Sequence, residues 1–190
     1  MIQLYITRHG QTEENLQRIL QGQMPGHLTA EGIRQAEQLR DSLSGIHFHR
    51  IVTSDLLRAS ATARIIAQRQ ECPVEEEPLL RERDFGIHTG GPYISISHDL
   101  DPSAETMDHL AGRAAQFLNK LVAFSASLPH SAPLLAVSHG LFLRVLQAVY
   151  HGCGVREVER MENAEVRVLP IEPHMHFGIS SQQEVGGTAN

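Results

Sequence analysis

The sequence predicts an α/β fold, a three-layer sandwich whose mostly parallel central sheet lies between helices. Two observations predict it. Short, β-prone apolar runs alternate along the chain with stretches of helical period. The run Leu134-Leu135-Ala136-Val137 is continuously apolar between Pro133 and Ser138-His139-Gly140, as a strand covered on both faces must be.

Ile2-Gln3-Leu4-Tyr5-Ile6-Thr7 opens the chain as a buried strand that stops at Arg8-His9-Gly10. Residues 11–20 are polar and predict a turn and a short helix, and residues 21–26 form a loop through Gly22, Pro25 and Gly26. Thr29 is placed to cap the next helix, whose inner face carries Ile33, Ala36, Leu39 and Leu43 before Ser44-Gly45 ends it. Arg50-Ile51-Val52-Thr53 is a second strand, after which Ser54 or Asp55 is expected to cap a helix reaching about Gln70.

Residues 72–74 predict a further short strand. Residues 84–103 lack a period and contain Gly86, Gly90, Gly91, Pro92 and Pro102, so a long loop with at most a short helix is expected. Met107, Leu110, Ala111, Ala114, Phe117, Leu118, Leu121 and Val122 fall on one helical stripe. After the strand at 134–137 come a buried helix over 141–150 and a last strand at 166–169. The chain is therefore expected to form one catalytic domain over residues 1–170. Residues 171–190, ending Gly186-Gly187-Thr188-Ala189-Asn190, read as a flexible or lid-like tail.

Length agrees with one domain, since 190 residues build one sizeable core and leave little room for a second. The net charge of −6 argues against a nucleic-acid partner. A few local arginines can still attract a small anion. Cys72 and Cys153 have neither CxxC nor zinc-like spacing and read as reduced thiols of a cytoplasmic protein. No apolar stretch is long enough for a membrane span, and no signal peptide is expected.

Two His-Gly pairs, His9-Gly10 and His139-Gly140, end predicted strands. Ligands of parallel α/β sheets bind beyond such ends. A lone histidine at a turn is most often a surface or capping residue. Two, with Arg8 beside one and Arg58 on the first turn of a helix leaving another strand, form an anion pocket suited to phosphate. An imidazole attacks phosphorus when one ring nitrogen is free and the other is held as N–H by a backbone acceptor. A leaving alkoxide needs a proton, which a partly buried carboxyl of raised pKa donates near neutral pH. Glu82 and Asp84 are equal candidates on physics alone.

The pattern resembles the histidine phosphatase superfamily, the phosphoglycerate-mutase-like proteins. Arg8-His9-Gly10-Gln11-Thr12-Glu13-Glu14-Asn15 resembles the family's RHGxTxxN. Gln21-Gly22, and Leu28-Thr29 with Gly32 and Gln35-Ala36, resemble the segment that follows. Ser54-Asp55-Leu56-Leu57-Arg58-Ala59 with Thr62-Ala63 resembles SxLxRAxxTA, and Leu80-Arg81-Glu82 with Asp84-Phe85-Gly86 resembles LxExxFG. Val137-Ser138-His139-Gly140 resembles the second His-Gly motif. The resemblance implies a phosphoglycerate-mutase-like fold and a nucleophile, His9, that becomes phosphohistidine. It implies that Arg8, Arg58 and His139 bind the phosphoryl group, and that Glu82 is acid and then base. It implies that Asn15, Gln21 and Gly22 line the substrate side.

Many members read FGxWEG where this chain has Gly86-Ile87-His88-Thr89-Gly90. His88 and Thr89 thus change the wall beside Glu82, where substrate choice is expected. Glu105, Thr106 and Arg113 loosely resemble a further Glu-Ser…Arg block and stay outside the catalytic set. The implied activity is a histidine acid-type phosphatase, a phosphoric monoester hydrolase for a small phosphorylated metabolite. It needs no cofactor and no metal; the His174-Met175-His176 pair, with His47 and His49, lacks the companion ligands of a metal site. The alternatives are a mutase sharing the phosphohistidine step and a phosphate-binding module without turnover. A mutase needs a lid and substrate-fixing residues to keep water out, and the chain is short between residues 86 and 134, where mutases carry insertions.

Overall fold

Among the described residues, five strands make one sheet, in the order β3-β2-β4-β1-β5, with only β5 antiparallel. They are β1 (Ile2–Arg8), β2 (Arg50–Thr53), β3 (Val74–Glu76), β4 (Ala132–Ser138) and β5 (Val166–Ile171). The α-helices among the described residues are α1 (Glu13–Leu16), α2 (Ala30–Ser42), α3 (Leu57–Ala67), α4 (Met107–Ser127) and α5 (Gly140–His151). The computed structural model describes residues 1–93, 101–128 and 130–178.

Alternation along the central strands sorts the core into two halves. Ile2, Leu4, Ile6, Val52, Leu134 and Ala136 pack with Leu110, Phe117 and Leu118 of α4 and Phe142 and Leu146 of α5. Ile51, Leu135 and Val137 pack on the other face with Leu39 of α2 and Ala59, Ala63 and Ile66 of α3. Successive strand residues point to opposite faces, so helices cover both sides of β4, as its continuous apolar run requires. The expected three layers are present.

Register sets the site. Arg8 lies opposite Ser138, and Thr53 lies opposite Val137. The residues that follow, His9, His139 and Ser54, therefore leave three neighbouring strands at one edge. Short 3₁₀ turns at Pro78–Leu80 and Gly86–His88 bring the Glu82 segment to the same edge. The second turn lies in the expected loop at 84–103, of which residues 94–100 fall outside the described residues.

Thr29 caps α2 as expected, its hydroxyl accepting from the Gly32 amide. Two local expectations are corrected. Ile33 is 43% exposed. The inner face of α2 instead begins at Gly32, where the helix touches the turn after β1. A Cβ there would lie 2.0 Å from the Gln11 carbonyl oxygen, and one at Gly10 would lie 2.4 Å from the Gly32 oxygen. The close approach turns Ile33 outward. Gly32→Ala is expected to cost about 3 kcal/mol, the upper range of overpacking, because backbone must move; a lowered urea midpoint would measure it.

Neither Ser54 nor Asp55 caps α3. The cap position is Leu56, without a side-chain bond, because both candidates are engaged elsewhere. The Asp55 carboxylate pairs with Arg81, and the Ser54 hydroxyl meets His139.

The domain edge expected at residue 170 falls inside β5. Ile171 is fully buried, and Phe177 is buried against α4 and α5. Asn119 of α4 clamps the Phe177 backbone from both sides, donating to its carbonyl at 2.8 Å and accepting from its amide at 3.0 Å. An apolar anchor outweighed the polar, proline-containing composition of this stretch. The rest of the tail expected to be flexible or lid-like, residues 179–190, lies outside the described residues.

Candidate active site

His9 is 3% exposed, and both its ring nitrogens have partners. Nδ1 lies 2.7 Å from the carbonyl oxygen of Gly10, and Nε2 lies 3.2 Å from Nε of Arg58. A carbonyl only accepts and a guanidinium only donates. The ring is therefore neutral, protonated on Nδ1, with a lone pair on Nε2. The backbone is held as firmly, since the His9 amide donates to Ser138 and its carbonyl accepts from Asn163 at 2.8 Å. The Gly10 amide donates to Thr62 Oγ1 at 3.1 Å.

Arg58 is almost fully buried on the first turn of α3. Besides His9, its guanidinium donates to the carbonyls of Gly22 at 2.7 Å and Met24. The loop over residues 21–26 thus wraps the arginine. Burial draws its pKa down to about 10, which leaves it cationic at neutral pH. Arg8 donates to the Met161 carbonyl at 3.0 Å, while its Nε is buried without a partner among the described residues. A side chain at Gly140 would crowd that guanidinium at 3.3 Å, so glycine leaves it room at the start of α5.

His139, fully buried, sits 5.3 Å from His9 between ring centroids. Nε2 lies 2.8 Å from Ser54 Oγ, and Nδ1 is buried without a partner among the described residues. Burial, then the nearby Arg58, pushes both histidines well below their ordinary pKa. This has a pH consequence. Below about pH 6.5 the unfolded chain takes up protons at these positions that the folded chain refuses. Stability is expected to decline as pH falls below that value, by up to about 1.4 kcal/mol per pH unit for each histidine. Urea midpoints between pH 7 and 5 check this, and His139→Asn is expected to flatten the slope.

Glu82 lies at the N-terminus of α5. Its oxygens accept from the amides of Arg83 at 2.9 Å, Phe142 at 3.1 Å and Leu141 at 3.2 Å. Its electrostatic influence reaches both Arg8 and Arg58. Asp84, its equal on physics alone, caps the Gly86 amide at 2.8 Å. The Glu82 segment is fixed from behind by Arg113 of α4, which donates to the carbonyls of Leu79, Arg81 and Glu82 and pairs with Glu105 at 2.7 Å.

The five residues expected to carry the chemistry therefore converge at one sheet edge. The three expected to line the substrate side are placed less uniformly. Gln21 is buried with an unpartnered Oε1 among the described residues, and Gly22 supplies a carbonyl to Arg58. Asn15 closes a capping box with Thr12 at the start of α1, its Oδ1 accepting from the Thr12 amide at 3.2 Å. Thr89 Oγ1 would meet a Cβ at Gly22 at 3.0 Å, so this departure from the family pattern touches the loop that wraps Arg58. Ser54, Asn163 and the Arg113–Glu105 pair were not among the expected site residues. Ser54 stood within the quoted motif, and its hydroxyl was the available signal.

A sequence profile of the histidine phosphatase superfamily (branch 1) matches residues 4–177. The chain belongs to the histidine phosphatase superfamily. Its members here carry both mutase and phosphatase names. The chain is 36% identical over 167 residues to a probable phosphoglycerate mutase GpmB of Proteus mirabilis, covering 80% of this chain and 76% of that one. It is 35% identical, with the same coverage, to the corresponding protein of Cronobacter sakazakii.

Among solved structures, a mycobacterial glucosyl-3-phosphoglycerate phosphatase superposes with a TM-score of 0.80 at 26% identity over 88% of this chain and 90% of that one. A phosphoglycerate mutase of Bacillus anthracis gives 0.80 at 25% identity over 95% and 92%. A putative alpha-ribazole-5'-P phosphatase of Escherichia coli gives 0.79 at 25% over 95% and 96%. The fold is thus phosphoglycerate-mutase-like, and the chain is an enzyme of the phosphatase and mutase superfamily. Among the described residues, no helix is long and apolar enough to cross a membrane.

Proposed function

We propose that this histidine phosphatase superfamily member is a metal-independent phosphomonoester hydrolase. It acts on a small phosphorylated metabolite through a phosphohistidine at His9. The supporting observation is the tautomer of His9. The Gly10 carbonyl holds Nδ1–H, and the Nε2 lone pair lies among Arg58, Arg8 and His139. Nε2 attacks phosphorus as the ester P–O bond breaks. The two guanidiniums neutralise the equatorial oxygens, and neutral His139 donates a hydrogen bond to them. Glu82 gives its proton to the departing alkoxide, then takes one from the water that cleaves the phosphohistidine and releases inorganic phosphate. As acid, Glu82 turns one oxygen from the α5 amides to the leaving group.

A mutase reading draws on the similarity to the probable phosphoglycerate mutases. Hydrolysis is favoured because the chain is short between residues 86 and 134, where mutases of the family carry the insertions that keep water out. The decisive measurement offers 3-phosphoglycerate as donor and acceptor and compares inorganic phosphate with 2-phosphoglycerate. Hydrolysis predicts phosphate as the main product, undiminished by chelator. Isomer formation outrunning phosphate release would overturn the reading. A panel including the glucosyl-phosphoglycerate and ribazole phosphate esters named for the structural relatives then ranks substrates.

A further inference from the structure

We infer that Ser54 is a positioning residue that fixes His139 as the Nδ1–H tautomer by donating its hydroxyl proton to Nε2, so that Nδ1–H is the donor presented to the phosphoryl group. The assignment follows from counting donors and acceptors in a buried cluster. Ser54 and His139 are both fully buried. Ser54 Oγ already accepts from the Leu56 amide at 3.3 Å, and its one other side-chain partner is His139 Nε2 at 2.8 Å.

Two tautomers fit the distance. If Nε2 carried the proton, it would donate to Oγ, and the serine hydroxyl hydrogen would have no acceptor among the described residues. The Nδ1 lone pair would then stand unpaired in the pocket. A buried unsatisfied donor costs about 1–3 kcal/mol. In the other tautomer the hydroxyl donates to Nε2, Oγ keeps the Leu56 amide, and one group stays open, the Nδ1–H. A bare lone pair would repel a phosphoryl oxygen, whereas an N–H binds it. The charged imidazolium is disfavoured as well, since burial and the arginines hold His139 neutral.

The register makes the contact possible. Ser54 follows β2 and His139 follows β4, and those strands pair directly. Ser54 thus does for His139 what the Gly10 carbonyl does for His9, with opposite polarity. The carbonyl accepts from Nδ1, while the hydroxyl donates to Nε2. Both rings end with Nδ1 protonated, leaving the Nε2 lone pair of His9 for attack and the Nδ1–H of His139 for binding.

The tautomer stands on the resting structure, and only its catalytic use rests on the proposed phosphotransfer. The test is a long-range proton–nitrogen correlation spectrum of the full chain labelled in histidine, for wild type and Ser54→Ala, with and without inorganic phosphate. The same proteins are assayed for kcat and KM on p-nitrophenyl phosphate. Wild-type His139 is expected to show a pyrrole-like Nδ1 that shifts with phosphate and a pyridine-like Nε2. Ser54→Ala is expected to show protonated Nε2.

The variant's kcat/KM is expected to fall about 10- to 100-fold, short of the roughly 10²–10³-fold cost of deleting a transition-state donor outright. Ser54→Thr, which keeps the hydroxyl, is expected to recover the wild-type tautomer. A pyridine-like Nδ1 in wild type overturns the inference whether or not the variants fold. Ser54→Ala with an unchanged His139 spectrum does so too. The expected tautomer in a wild type that neither responds to phosphate nor turns over would uphold the Ser54 contact and sink the phosphatase reading instead.

Discussion

Replacing His9 by alanine is expected to lower phosphomonoester hydrolysis by roughly 10⁴- to 10⁶-fold, the scale seen when an enzyme loses its nucleophile. The loss comes from the covalent step and not from weaker binding. Arg8, Arg58 and His139 are anchored independently of the His9 side chain, on Met161, on Gly22 and Met24, and on Ser54 respectively. Inorganic phosphate is therefore expected to protect His9→Ala against heat as it protects wild type. Acid-labile phosphate on the protein, detected by rapid quench with a labelled substrate, is expected in wild type only. Equal hydrolysis by both proteins would end the phosphohistidine reading. Retained binding with lost turnover would separate nucleophile from pocket. The substitution removes two hydrogen bonds of a buried ring, so stability is also expected to fall, by about 1–3 kcal/mol, and activity is best compared well below the melting temperature.

Glu82→Gln is expected to have the second largest effect, and one that depends on the substrate. A general acid contributes about 10²- to 10⁴-fold. It matters most when the leaving group is a poor one. Hydrolysis of an alkyl phosphomonoester is expected to fall through that range, while hydrolysis of p-nitrophenyl phosphate, whose phenolate departs without a proton, is expected to fall by less. Equal losses on both substrates would show that Glu82 acts by holding the start of α5 and not as an acid. That structural share is real. Both carboxylate oxygens accept backbone amides at α5, from Leu141 and Phe142, and Oε1 also accepts from Arg83. A glutamine offers one acceptor and turns an NH₂ toward an amide donor, so one buried amide loses its partner at about 1–3 kcal/mol. Melting curves measure that share, and the ratio of alkyl to aryl rates measures the chemical one.

Much of the fold was legible because its signals are local. Tyr5 and Ile6 within a short β-prone run, and the unbroken apolar stretch at 134–137, identify strands whatever surrounds them. Thr29 was readable as a cap for the same reason. The errors arose where a distant partner claimed a residue. Asp55 looks like a cap until Arg81 takes its carboxylate, and Ile33 looks like core until Gly32 meets the Gln11 carbonyl. Phe177 is held by Asn119, 58 positions away, a contact that no local signal announces.

By itself the sequence determined the layered α/β architecture, the family and the list of five candidate site residues, because spacing at strand ends and short motifs carry that information. Only the tertiary structure decided their states. The proton of His9 sits on Nδ1 because the Gly10 carbonyl and the Arg58 guanidinium meet its two nitrogens from opposite sides. Glu82 rests on the amides of α5, and His139 leans on Ser54, 85 positions away. Tautomer and electrostatic setting depend on which donor and acceptor face each other across strands. That pairing exists only after the sheet has set its register.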